Sequence, residues 1–103
     1  MIAVIFQADF ANEVHRGRYF DIAGTLRPEI DHIDGFLAIE RFQSYVQPNR
    51  ILSLSYSRDH QAIAHWRRHP EHLLAQQAGK KELFSAWSIR CAEILTTRTN
   101  AST

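Results

Sequence analysis

The order in which two hydrophobic periodicities alternate along this chain restricts its fold more than any other feature. In residues 2–10, IAVIFQADF, the groups Ile2, Val4, Phe6, Ala8 and Phe10 stand against Ala3, Ile5, Gln7 and Asp9, the period of two expected of a strand partly buried on both faces. Asn12 is a suitable helix N-cap, and from Glu13 the positions Val14, Tyr19, Ile22, Ala23, Leu26, Ile30 and Ile33 recur at helical spacing. Pro28 cannot donate to the helical ladder, so the helix is expected to kink or end between Gly24 and Arg27. Asp34-Gly35 marks a turn, after which Phe36 to Val46, rich in aromatic and branched residues, reads as a second strand. Gln47-Pro48-Asn49-Arg50 is turn chemistry, and Ile51 to Ser57 sets Leu52, Leu54 and Tyr56 against Ser53, Ser55 and Ser57, so strands two and three form a hairpin.

Asp59 can cap a helix over about 60–68 with Ile63 and Trp66 inward. Pro70 suits a first helical turn and disfavours helical geometry at His69, which predicts a break there and a new helix from Pro70 to about Phe84. Trp87 to Thr97 alternates again and supplies a fourth strand; residues 1–98 then form one domain and 99–103 a polar tail.

The element order is βαββαβ. With right-handed crossovers its simplest closure is a ferredoxin-like α+β fold, a four-stranded antiparallel sheet with the helices on one face. Ala3, Ile5, Phe36, Ala38, Phe42 and Trp87 are expected on the other face. Leaving that much apolar surface in water costs roughly 25 cal/mol per Å². A second copy related by a twofold axis is the natural cover, and the extension of strand four through Leu95 to Arg98 could reach across to it.

Composition removes several functions. A chain of 103 residues with 45% apolar and 22% charged residues is one globular domain, and no segment has the apolar length of a membrane span. The opening MIAVIF has no basic segment before it and is interrupted by Gln7 and Asp9, which predicts a cytoplasmic protein. With a net charge of +1 and basic residues scattered from Arg16 to Arg98, nucleic acid is not an expected partner. The lone Cys91 reads as a small buried hydrophobe in a strand. His65 and His69 have a metal-like spacing but lack partners spaced to complete a site, so no metal is expected. Phosphate-binding loops, nucleophile elbows and Cys–His pairs are absent from the sequence.

The stretch WRRHPEHLLAQQAG, Trp66 to Gly79, gathers an indole, two imidazoles and two amides. On the helix from Pro70, His72 and Gln76 are four apart and share a face, and the apolar stripe there is narrow. Trp66 offers an aromatic wall or plain packing. His72 titrates in a useful range for a base. His69 is a loop residue or a pocket residue, and Gln7 is a strand amide in need of a hydrogen bond if buried. Glu40 and Arg41 point to opposite faces of strand two, so one of them is internal or at a dimer seam, with a salt bridge the simplest role.

With IAVIF at the start, IDGFLAIERFQS over Ile33–Ser44, ILSLSYSRD over Ile51–Asp59, and Trp66 followed by EHLLAQQAG and IRCAEI, the chain resembles the antibiotic biosynthesis monooxygenase domain family over nearly its whole length. The resemblance implies a homodimeric α+β barrel with a pocket in each subunit between sheet and helices. It also implies either cofactor-independent oxidation of aromatic or quinol-like molecules by O2 or, in another branch, haem degradation. That branch uses an Asn on strand one, a Trp after strand three and a later His; Trp66 matches, whereas Gln7 and Gln76 stand where the Asn and His would be. The reading is therefore a cofactor-independent monooxygenase with His72, Trp66 and Gln7 catalytic and Gln76, Tyr56, His69 and Phe6 binding substrate. The alternatives are a non-catalytic small-ligand or stress-associated domain, and a haem-binding or haem-degrading protein.

Overall fold

The computed structural model describes residues 1–68 and 83–100, with the side chains of Glu29, Trp66 and Arg68 outside that description. Its elements run β1 (Ile2–Phe10), α1 (Glu13–Ile30), β2 (Phe36–Gln43), β3 (Arg50–Ser57), α2 (His60–Arg68) and β4 (Phe84–Glu93). The four strands form one antiparallel sheet in the order β2-β3-β1-β4, the ferredoxin-like topology that the βαββαβ order predicts. The helix expected from Pro70 lies outside the described residues, and Phe84, expected at its end, opens β4.

Both described helices begin where a side chain caps them. The Asn12 Oδ1 accepts the backbone N–H of His15 at 2.9 Å, and the Asp59 Oδ1 accepts that of Ala62 at 2.9 Å. The helix does not end between Gly24 and Arg27 ahead of Pro28, since it continues to Ile30 and Asp31 N still donates to Arg27 O at 3.3 Å. So near the C-terminus the missing Pro28 donor leaves one ladder bond unmade, with little helix beyond it to disrupt. Val14, on the expected apolar stripe, points outward and is exposed.

Strand two stops at Gln43, three residues before the expected end at Val46. There Ser44 turns the chain: its N–H donates to Arg50 O at 2.9 Å while its Oγ accepts from the N–H groups of Val46 and Gln47. Strand four also ends early, at Glu93, because its partner β1 starts at Ile2 and the last link is Ile94 N–H to Met1 O at 2.9 Å.

The register sorts every strand residue onto the inner face, under the helices, or the open face. Ala8, Phe10, Ile51 and Leu83 form the buried core under α1. A bulge between Phe36 and Ala38 puts both on opposite faces, although they are two apart, so Phe36 is internal rather than on the open face. Trp87 is likewise corrected to the inner face, since it lies opposite the fully buried Ala8. The open face carries Ala3, Ile5, Ala38 and Phe42 as expected, together with Leu52, Leu54 and Tyr56.

Candidate substrate cavity

A cavity of about 140 Å³, partly open to solvent, lies between the inner face of the sheet and the two helices. Its floor is aromatic because β1 and β4 alternate: Phe6 and Phe84 have ring centroids 5.5 Å apart, and Tyr19 of α1 lies 5.5 Å from Phe84 and 6.5 Å from Phe6. Helical spacing brings Ile22, Ala23, Leu26 and Ile30 of α1 to the same space, and Ile63 and Arg67 close it from α2.

One wall is polar. Ser53, Ser55 and Ser57 all face the cavity from β3, and the Leu52–Leu54–Tyr56 side lies on the open face. Beside them Arg41 lies opposite Ser53 in the β2–β3 register. Its guanidinium carbon sits 6.0 Å from the centroid of the Tyr19 ring, and its Nε is buried with no hydrogen-bond partner. Among the described residues Arg41 has no ion pair, so the salt bridge expected for Glu40 or Arg41 is not its role. Cys91 also lines the cavity but is exposed as a residue, which corrects its reading as a buried hydrophobe.

The predicted site residues divide by face. Phe6 lines the cavity. Gln7 and Tyr56 do not, because adjacent strand residues point to opposite sides; Gln7 lies opposite Leu52 and Ser88, and Tyr56 opposite Ala3 and Ala38, half-buried on the open face. The backbone of Trp66 is in α2 with its side chain outside the description, and His69, His72 and Gln76 lie outside the described residues. The sequence reading missed Arg41, Tyr19 and the three serines. An alternating Ser row on one strand and an Arg on its neighbour was the available signal, but Ser and Arg are mostly exposed, so composition alone does not mark them as lining a cavity.

Among the described residues the groups with displaced pKa values do not line the cavity. The Arg50 guanidinium hydrogen-bonded to Asp9 holds its carboxyl below the usual carboxylate range. Asp34 is lowered by hydrogen bonding to Arg58, and Asp59 by the Ala62 N–H and then Arg58. Among the described lining residues there is no Asp, Glu or His, and no cluster of metal-ligating side chains occurs among the described residues.

Residues 1–78 match the family model described as antibiotic biosynthesis monooxygenase. Jasmonate monooxygenase ABM of Pyricularia oryzae is 35% identical over 94 residues, which is 91% of this chain, and the chain spans 43% of that protein's length. A crystal structure from Deinococcus radiodurans superposes with a TM-score of 0.85 at 16% identity over 99% of this chain and 100% of that one. A cofactor-independent oxygenase from Streptomyces nogalater superposes with a TM-score of 0.80 at 11% identity, over 93% of this chain and 94% of its own. At such identities the structural likenesses establish the fold. The match of the family model over residues 1–78 places this chain in the antibiotic biosynthesis monooxygenase family.

Proposed function

We propose that the cavity takes a small ring-bearing molecule of aromatic or quinol type and that the protein oxidises it with O2 without a bound cofactor. The observation that carries this reading is the aromatic cluster of Phe6, Tyr19 and Phe84 beside a row of three serines lining the same cavity, which suits a flat carbon skeleton with oxygen substituents along one edge. In such a reaction a base removes a proton from the substrate, and the carbanion gives an electron to O2. Overall a CH2 group becomes C=O, one oxygen atom leaves as water, and the substrate supplies all four electrons. The protein then needs a base, donors for the developing oxyanion and a water-poor cavity.

In this reading His72 is the base, Trp66 walls the substrate, and His69 and Gln76 bind it. Oxygen uptake with anthrones and hydroquinones, and with jasmonate because of the 35%-identical relative, tests the reading. Uptake above the buffer rate that falls at least about tenfold in His72→Ala supports it, on the scale by which a positioned base accelerates proton transfer. Uptake at the buffer rate with every candidate refutes it.

A non-catalytic ligand-binding domain is the second reading, and one observation favours it: the described wall has no imidazole or carboxylate. A ligand retained through purification and unchanged by O2, as seen by mass spectrometry, decides for the binder. The haem reading has no histidine on the described wall, and titration with hemin tests it by the presence or absence of a saturable, shifted Soret band.

The active form in this proposal is a homodimer in the cytoplasm, paired through the open face of the sheet. None of the described helices is long and apolar enough to cross a membrane.

A further inference from the structure

We propose that the ligand of this cavity carries a carboxylate, received by Arg41 at the end of the serine row; this rests on the reading of the cavity as a small-molecule site. Arg41 has a buried Nε with no acceptor, and a buried donor left unpaired is costly, so the arrangement is completed by an acceptor that arrives with the ligand. Among the described residues no ion pair balances its charge. Arg67 brings a second positive charge to the same cavity, and no described lining residue is a carboxylate. A largely apolar enclosure weakens solvent screening and so strengthens the preference for an anion.

The geometry selects the kind of anion. Ser53 stands directly across from Arg41 on the same inner face, both line the cavity, and Ser55 and Ser57 continue the row at steps of ~6.8 Å, two strand residues each. No side-chain hydrogen bond engages these hydroxyls among the described residues. The planar fork of an arginine matches the two oxygens of a carboxylate, and the Tyr19 ring lies 6.0 Å from its guanidinium carbon. A phosphate, with more charge and more acceptors, would need a denser set of donors than one guanidinium and a hydroxyl row in an otherwise aromatic and aliphatic space. The cavity volume of about 140 Å³ is close to that of a cavity known to admit benzene, so the carboxylate belongs to a ligand with a ring-sized apolar body.

The test uses 4-ethylbenzoate and 4-ethylbenzamide, which share a shape and differ in charge, titrated into the full chain and followed by two-dimensional amide NMR. The acid is expected to bind at least about tenfold more tightly than the amide, as charge-assisted hydrogen bonds predict, with shifts at Arg41, Ser53 and Tyr19. Arg41→Gln should remove that preference by weakening the acid alone, and Arg41→Lys should keep part of it. Amide binding by Arg41→Gln reports an intact cavity; if that variant does not fold, the acid-to-amide ratio of the unsubstituted protein and the Arg41→Lys variant still decide. Equal affinities in the unsubstituted protein, a preference that survives Arg41→Gln, or no binding of the acid at millimolar concentration overturns the proposal. The oxygenase reading fails separately. An acid preference lost in Arg41→Gln without any oxygen uptake keeps the carboxylate and discards the reaction, whereas oxidation of neutral substrates unaffected by Arg41→Gln does the reverse.

Discussion

Asp9 and Arg50 face each other across β1 and β3, with Nε and Nη2 of the arginine 2.6 and 3.0 Å from the two carboxylate oxygens. That two-point contact lowers the Asp9 pKa against a smaller opposing effect of desolvation. A carboxyl whose folded pKa lies below its unfolded value binds fewer protons when folded, so its contribution is complete above the unfolded value of about 4 and is lost as the pH falls through the folded one. Asp34 and Asp59, lowered by Arg58 and by the α2 cap, act with the same sign. The melting temperature should therefore fall as pH drops below about 4. Asp9→Asn should lower it by a few degrees at pH 7, with the difference from the unsubstituted protein shrinking toward pH 3 in a calorimetric series. A difference that grows in acid would contradict this account of the pair.

Between α1 and β2 the chain turns at Gly35, whose φ of 85° lies in the left-handed region and whose carbonyl accepts the Arg58 N–H at 2.7 Å. A Cβ there would stand 2.6 Å from the Cβ of Ala62, inside α2. Gly35→Ala thus combines a left-handed penalty of about 1–2 kcal/mol with a clash against a packed helix. Urea unfolding should show a loss above about 2 kcal/mol, with α2 the element displaced. By contrast Asn12→Ala removes one cap bond from an exposed helix start and should cost about 1 kcal/mol. If the two variants are equally stable, Gly35 is not what seats α2 against the loop. Arg58 ties the same region together by reaching both Asp34 and Asp59 at 3.0–3.2 Å, but these are exposed pairs and secondary to the turn.

At the scale of the molecule, the open face of the sheet is the surface through which the proposed dimer would pair. Ile5, Leu52, Leu54 and Tyr56 form its centre, Phe42 is 44% exposed at one edge, and one row across the sheet reads Glu40, Leu54, Ile5, Arg90. When a second sheet packs face to face about a twofold axis running along the strands, the β2 edge meets the partner's β4 edge, which sets Glu40 near an Arg90 of opposite charge. Light scattering is expected to report a dimer at micromolar concentration, with an unfolding midpoint that rises with protein concentration. Phe42→Glu, central to neither the cavity nor the core, should split the dimer or leave the protein insoluble while an inner-face variant does not. A folded 11.9 kDa monomer under those conditions would exclude the dimer.

Periodicity, caps and turn chemistry are local properties, and they were legible. The βαββαβ order, the Asn12 and Asp59 caps, the Asp34-Gly35 turn and the hairpin through Pro48 all follow from residues within a few positions of one another. Which face of each strand turns inward is different, because a period of two looks the same from either side. The β3 serines point into the cavity and its leucines away from it because β3 is registered on β1, whose Phe6 and Ala8 lie under α1. A bulge at the start of β2 then moves Phe36 inside without any mark in the alternation. For the same reason Phe6 and Gln7 could not both line one cavity, and only the tertiary pairing chose Phe6. Arg41 entered the candidate site by that choice as well: of two adjacent charges, sheet packing sent Glu40 to the open face and the guanidinium into an aromatic enclosure that holds no carboxylate among its described residues.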